Sequence, residues 1–405
     1  MKQLIIIACL FLTFGGSVFA QKTVKYNVYL RSDAGTDTMW DGRIIRVYGM
    51  ASKLSEAPHI PAKTLYCNEG DTLVLKALSI SQGDHHTVHL HGMDATTPND
   101  GDPATSFWLN HQQDTNYTVY AAHAGTYLYH CHVADVLHVQ MGMYGLIVVK
   151  PRDGSNTAWT GGPAFDRAYN WILSEVDPVW HDTIPKHDAI ADTVHIPPYH
   201  PKYFLINGKS ETQLPVNDSI VIKATAGQTI YLRAGSIGFF YERLIFPSWM
   251  YARKIDSDGR PLDEAIQNDT IEIAPGERFG ILLDAQSVQS DNINIEFLNM
   301  NTDSVWSTQH VPVIIASSSV EKNIVGTRRL SIFPNPAGTS ITFSVKGLEE
   351  VQADVKIFNV LGKIVYQSTA LLPLQIDIHS FPAGIYNAVL HLAHKSFSAA
   401  FDVVH

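Results

Sequence analysis

The chain has 405 residues, with 29 Lys and Arg against 39 Asp and Glu for a formal net charge of −10. That charge is spread thinly and without basic clusters, which argues against nucleic acid or an anionic membrane surface as a partner. The length suits two to three ordinary domains, and no stretch beyond the N-terminus is long enough to make a stable membrane span.

The first segment, MKQLIIIACLFLTFGGSVFA, has an early lysine, an apolar run and a small-residue exit before Gln21. This is the layout of a cleaved secretory signal, residues 1–20, and it predicts an exported protein. Cys9 leaves with that segment, so Cys67 and Cys131 remain. A pair of cysteines in an exported chain suggests a disulfide. Cys131, however, stands between His130 and His132, which makes metal binding the better account of it. Cys67, on the alternating pattern TLYCNEGDTLVL, reads as a small buried hydrophobe. A Cys67–Cys131 bridge would defeat the metal reading.

Helical periodicity is almost absent after the signal. Short runs rich in Val, Ile, Tyr, Phe and Thr recur between Gly, Asp, Asn or Pro breaks: KYNVYLRS, DTLVLKALSI, NYTVYAA, TYLYH and YGLIVVK. This spacing predicts an all-β chain of sandwiches or barrels. A first block spans 22–150 and ends at PRDGSNTAWTGGP; a second spans 164–315; ASSSVEKNIVGTR (316–328) is a polar linker; a small β block, 329–405, closes the chain. EGDTLVLKA and AGQTIYLRA occupy the same place in the two larger blocks, which predicts two diverged copies of one sandwich.

Two clusters in the first block carry chemistry. HHTVHLHG holds His85, His86, His89 and His91; YHCHVADVLHVQMGMYG holds His130, Cys131, His132, His138, Met141 and Met143. On a strand, side chains alternate faces, so His89 and His91 point one way and His86 the other. The same alternation separates Cys131 from His130 and His132. Cys131, His86 and His138 with a weak axial Met143 make the trigonal donor set of a type 1, blue electron-transfer copper. Met141 is the alternative axial ligand. His89, His91, His130 and His132 form a four-imidazole group on the opposite face, a candidate site for further copper. Zinc is the usual rival for clustered histidines, but the single thiolate and the thioether favour copper. His85, His111 and His123 read as surface or satisfied core histidines.

HTVHLHG followed by HCH, His138 and Met143 resembles the copper-binding cupredoxin domain of multicopper oxidases, the laccase-like proteins, over roughly 22–315. The two-block layout is similar to two-domain members of that family and to copper nitrite reductases. The resemblance implies two tandem cupredoxin-like Greek-key β-sandwiches and a small third sandwich. It also implies type 1 ligands at His86, Cys131, His138 and Met143. His89, His91, His130 and His132 then match the half-set that one domain gives to a trinuclear oxygen-reducing cluster, with Asp94 or Asp100 nearby.

The second block departs from the pattern. SIGFFYERLIFPSW (236–249) and NIEFLNMNTDSVW (294–306) lack the expected histidines; Met300 falls where one would stand, and His310 is the nearest imidazole. Either the second block is structural, the favoured account, or missing ligands come from another chain. The expected function is an exported copper-dependent oxidoreductase. Its electron donor would be a phenol, a metal ion or a small redox protein, and oxygen is the possible acceptor. The alternatives are an electron carrier with only the type 1 site active, or a nitrite reductase with copper on His91 and His130. Against that enzyme, the resemblance places an Asp where His89 stands and no His directly after the type 1 Cys, so His89 and His132 favour the oxidase line. A homo-oligomer, a trimer, is implied by resemblance alone.

The last block, with LSIFPNPAGTSITFSV, VKIFNVLGKIVY and IDIHSFPAGIYNAVLHL, resembles the C-terminal sorting domain of the type IX secretion pathway. Pro334-Asn335-Pro336, Leu361-Gly362-Lys363 and Pro382 to Tyr386 carry the likeness, though FDVVH lacks the basic tail common in such domains. A fibronectin-like adhesive sandwich is the rival reading. The sorting reading implies removal of the block on export through that machinery, leaving the protein secreted or on the cell surface.

Overall fold

A computed structural model gives the protein's architecture. The described residues are 21–81, 85–184, 195–317, 330–345, 348, 350–359, 363–392 and 395–404. The signal segment, most of the 316–328 linker and Leu361-Gly362 lie outside them. The chain folds as two compact units that divide at Ser318/Ser319, and the first unit contains two sandwiches.

In the first sandwich, β1 (Thr23–Thr38), β2 (Ile44–Ala51), β4 (Thr72–Ser79) and β5 (Asp114–Tyr120) form one sheet in the order β2-β1-β4-β5, while β3 (Leu65–Asn68), β6 (Gly125–His130) and β7 (Tyr144–Lys150) form the other, β3-β7-β6. Period-two patterning builds these strands: Leu73, Leu75 and Ala77 of β4 are fully buried while Lys76 points out. β1 runs parallel to β4, and β3 parallel to β7.

The second sandwich repeats that plan. β8 (Arg167–Val176), β9 (Tyr203–Ile206), β11 (Gln228–Ser236), β13 (Arg253–Ser257), β14 (Arg260–Gln267) and β16 (Arg278–Ala285) make one sheet. β10 (Ile222–Thr225), β12 (Tyr241–Ile245), β15 (Thr270–Ile273), β17 (Gln289–Leu298) and β18 (Val305–Ala316) make the other. β8 is parallel to β11 and β10 parallel to β18, so β4 and β11, the strands of EGDTLVLKA and AGQTIYLRA, hold equivalent places. Ile230, Leu232 and Ala234 of β11 bury on the core side. A separate apolar cluster joins the sandwiches, with Ile45, Val47, Leu128 and Leu146 against Ile172, Val176, Tyr203 and Leu205; each such side chain contributes roughly 1.5–3 kcal/mol when buried.

Two short helices interrupt the β pattern. α1 (Asp135–Gln140) lies between β6 and β7, and α2 (Pro178–Thr183) starts at Asp177, whose carboxylate accepts from the Val179 and Trp180 amides. Neither has an apolar repeat long enough to register as a helix in the sequence. The C-terminal unit is a third two-sheet sandwich: β19 (Leu330–Phe333), β20 (Ser340–Val345) and β23 (Leu374–Asp377) form one sheet, and β22 (Ile364–Leu371), β21 (Gln352–Asn359), β24 (Gly384–Leu392) and β25 (Lys395–Val403) form the other in that order. Its core includes Phe343, Val355, Ile376 and Phe401, and Tyr386 donates its hydroxyl to the Pro382 carbonyl at 2.7 Å, closing the Pro-Ala-Gly turn.

Candidate metal centres

Cys131 is the first residue past β6, and its amide donates to the Met143 carbonyl at 3.0 Å. His138 sits in α1, and its carbonyl accepts from the Met143 amide at 3.0 Å. One turn of helix followed by Gly142, whose φ of +111° a side chain would oppose, therefore folds residues 131–143 into a closed loop. His86 comes from the segment after β4, tied to Leu109 by an isolated bridge. That segment is not a full strand: only His86 and His89 make bridge pairings, so the expected HHTVHLHG strand is reduced to extended chain held at two points.

These elements bring three ligand atoms together. Cys131 Sγ lies 3.2 Å from His138 Nδ1 and 3.5 Å from His86 Nδ1, and all three residues are fully buried. Burial pushes the Cys131 thiol up, but the imidazoles of His138 and His86 outweigh it and bring it down to about 5. The sulfur is therefore poised as a thiolate, the form that binds metal. One thiolate and two imidazole nitrogens within contact distance can hold a single ion between them. Met143 and Met141 are both fully buried. Met143 is clamped by its backbone to both Cys131 and His138, whereas the Met141 carbonyl accepts from Tyr48 on β2.

The second group lies across the Cys131 backbone. His89 bridges to His130, and the ligand atoms of His89, His91 and His130 lie within 4.8 Å of one another. His91 Nδ1 is 3.3 Å from His130 Nε2. His132 stands beside this triad rather than in it, its ring centroid 5.0 Å from His89 and 5.7 Å from His130. Burial lowers the proton affinity of His89, takes His91 down to about 4 with help from Arg278, and takes His130 down to about 3. The three rings are thus neutral near pH 7, with nitrogen lone pairs available to a metal. Two backbone carbonyls orient them: Asp100 O is 2.6 Å from His89 Nδ1, and Cys131 O is 3.0 Å from His130 Nδ1. Such partners fix which nitrogen faces the ion.

Asp100 is the acid near the group, its Oδ2 3.5 Å from His89 Nδ1. Asp94 instead meets Arg260 Nη2 with both oxygens at 2.8 Å. The second sandwich contributes Arg278, almost fully buried against His91 and paired to Asp258 at 3.0 Å. Gly92 makes room for that guanidinium, and a side chain at Gly276 would press on His91 at 3.2 Å. Arg278 carries no sequence signal, because charge packed beside an imidazole across a domain boundary leaves no local pattern. His310 is exposed on β18 with Nδ1 2.7 Å from Asn294, and Met300 is exposed in a turn; neither joins a candidate group. His85 packs on Trp108, His111 faces the Ser81 carbonyl, and His123 faces Asp94. Cys67 and Cys131 are both free thiols, and burial raises Cys67 to about 12.

Residues 55–154 match the family described as multicopper oxidase, and residues 331–399 match the secretion system C-terminal sorting domain. The copper-containing nitrite reductase of Neisseria meningitidis serogroup A is 35% identical over 192 residues, 44% of this chain and 43% of that one. Laccase-25 of Oryza sativa subsp. japonica is 31% identical over 154 residues, covering 37% and 25%. The chain spans less than half the length of these curated relatives. The crystal structure of the blue copper oxidase from Nitrosomonas europaea superposes with a TM-score of 0.59 at 23% identity, over 73% of this chain and 86% of that one; this likeness is one of fold, the cupredoxin sandwich. Both histidine groups thus lie inside the segment at 55–154 that matches the multicopper oxidase family, and the segment at 331–399 matches the secretion sorting domain.

Proposed function

We propose that this protein is an exported, copper-dependent oxidoreductase of the multicopper oxidase type. His86, Cys131 and His138 would hold a type 1 copper with Met143 as the weak axial donor, and His89, His91, His130 and His132 would hold further copper. The observation that carries the reading is the buried Cys131 sulfur, 3.2 and 3.5 Å from two imidazole nitrogens, joined through its own peptide to His130 in the second group. The donor set fits copper: one thiolate, two imidazoles and a thioether in a closed, apolar loop. Copper held there supplies single-electron chemistry between a reductant and the second group. The chain's part is to exclude water around Cys131, to keep the imidazoles neutral, and to connect the two groups by a short covalent path through the Cys131–His130 and Cys131–His132 peptides.

The proposal takes 22–150 and 164–315 as the two cupredoxin-like sandwiches, 1–20 as the signal and 316–328 as the linker. The sorting segment supports type IX secretion to the cell surface or beyond, and no helix among the described residues is long and apolar enough to cross a membrane. The donor would be a phenol, a metal ion or a small redox protein, with oxygen as acceptor where a homo-oligomer, in the trimer case three chains, completes the imidazole set.

One observation favours a second reading. The second sandwich meets the histidine group with Arg278 rather than imidazole, which suits a type 1 electron carrier, or a nitrite reductase using His91 and His130. Metal analysis of the purified full chain, with oxygen and nitrite turnover, separates these. Two or more coppers per chain with oxygen uptake supports the oxidase; one copper with a blue band and no turnover leaves the carrier; nitrite turnover without oxygen uptake supports the reductase. A protein without copper or a blue band after copper loading sinks all three.

A further inference from the structure

A cleft of about 410 Å³ opens between the two sandwiches where residues 151–156 cross from one to the other. Tyr66, Val148 and Lys150 line it from the first sandwich, and Phe165, Asn170 and Arg233 from the second. A neighbouring cleft of about 340 Å³ shares Tyr66, Ala168 and Asn170 with it. No histidine or cysteine of the candidate metal groups borders either one.

Arg233 is the unusual group. Strand alternation on β11 sends Ile230, Leu232 and Ala234 into the sandwich core and Arg233 to the other face. The equivalent residue of β4, Lys76, is solvated and pairs with Asp114. Arg233 is instead only 5% exposed. Its guanidinium carbon lies 4.2 Å from the Tyr231 ring centroid and 5.6 Å from that of Phe165. Its hydrogen bond to Asn170 is long, Nη1 to Oδ1 at 3.4 Å, it also touches the Tyr231 hydroxyl, and its buried Nε has no partner among the described residues. The nearby carboxyl of Asp256, which accepts from the Tyr231 hydroxyl at 2.5 Å, attracts the guanidinium through space without a direct ion-pair contact.

A buried guanidinium whose neighbouring carboxylate is out of direct contact is poorly compensated, because it loses water and gains little in return. Its planar fork fits a carboxylate or phosphate oxygen pair, and flat rings beside it suit a planar ligand body. A second cation stands at the same cleft: Lys150 Nζ, 5.1 Å from the Tyr66 ring centroid. Asp166 is the one carboxylate on the lining, and one of its oxygens accepts from the Thr229 amide at 2.8 Å. Clefts between domains are common small-molecule sites.

We propose that this cleft binds a small oxyanion, an organic carboxylate or a phosphate, with Arg233 as the anchor and Lys150 as the second positive group. The site is separate from the copper reading and stands without it.

Calorimetric titration of the full chain with benzoate, with inorganic phosphate and with neutral benzyl alcohol tests the assignment. Saturable binding of at least one anion is expected, weakened about tenfold or more by Arg233→Met and severalfold by Lys150→Ala, with benzyl alcohol silent. Tighter benzoate identifies an aromatic carboxylate site, and tighter phosphate a phosphate site. Where Arg233→Met fails to fold, Lys150→Ala and Asn170→Ala give the same comparison from more solvated positions. A Cys131→Ser chain should bind the anions unchanged. Absence of saturable anion binding, equal binding of benzyl alcohol, or affinities unmoved by every variant overturns the proposal.

Discussion

The two large sandwiches deliver the same backbone to the same pole and furnish it with opposite chemistry. In the first, the chain leaving β4 passes His86 and His89, and His89 bridges to His130 at the end of β6. In the second, the chain leaving β11 enters β12, which pairs with β17 in the matching way, Tyr241 opposite Leu298 and Glu242 opposite Phe297. The side chains delivered to that interior are Glu175, Ser236 and Glu242, all buried. Glu242 lies beside the Ser236 hydroxyl, and Glu175 Oε2 has no hydrogen-bond partner among the described residues. The fold thus fixes where a side chain arrives, and residue type decides whether imidazoles or carboxyls gather there. The second pole also serves the first. Gln140, two residues beyond His138, donates to the Tyr199 hydroxyl at 3.0 Å, and Tyr199 donates to Glu175 at 2.8 Å. The helix carrying His138 is therefore buttressed by the second sandwich.

The largest test of this contrast is loss of the sulfur. Cys131→Ser should abolish the blue absorption of the copper-loaded protein completely, while Glu242→Gln leaves it intact. A blue band surviving in Cys131→Ser would place the chromophore elsewhere. Next in size, His130→Ala should lower the copper count by one or more per chain with the blue band retained, read by metal analysis and visible absorption. Equal loss of both signals would mean that the two groups bind as one unit.

The acidic pole predicts a pH effect on stability. Burial raises Glu175 from its ordinary 4.5 to about 7, and burial together with the neighbouring Glu175 carboxyl raises Glu242 well above its ordinary value. The folded protein therefore holds these protons more tightly than the unfolded chain does. For Glu175 the stabilisation is fully present below about pH 4.5, falls as pH rises, and is gone above about pH 7. The size is on the order of 3 kcal/mol. Glu175→Gln should flatten the fall in Tm across that window relative to the unsubstituted chain; two parallel profiles would refute the assignment. The Gln oxygen can still accept from Tyr199, so the comparison isolates the charge.

Much of this was legible in the sequence. The alternating runs marked β4 to β7, the paired EGDTLVLKA and AGQTIYLRA marked equivalent strands, and odd–even spacing separated His86 from His89 and His91. What stayed hidden was long-range or short-lived. α1 has too few residues to show a period, and the acid pair arises from β8 and β12, some 67 residues apart (242 − 175), with no shared motif. The nearness of His89, His91 and His130 was readable, but Arg278 beside His91 was not, since only the packing of one sandwich on the other puts it there.

The smallest effect separates two methionines that the sequence could only rank. Met143 has both backbone groups tied to metal-site residues, its amide to His138 and its carbonyl to Cys131, whereas Met141 is tied to Leu137 and Tyr48. A side chain on the clamped residue is fixed relative to the sulfur and the imidazole. Its thioether can then act as the distant axial donor that tunes the potential. Met143→Leu, nearly equal in volume, should keep the blue band and raise the reduction potential, because loss of a donor disfavours the cupric state. A shift of about 60 mV corresponds to a tenfold change in a one-electron equilibrium. Met141→Leu should leave the potential in place and cost less than about 1.5 kcal/mol of stability. The opposite pattern, a potential that moves with Met141 and not with Met143, would transfer the axial role to Met141 and show that the backbone clamp orders the loop without presenting the sulfur.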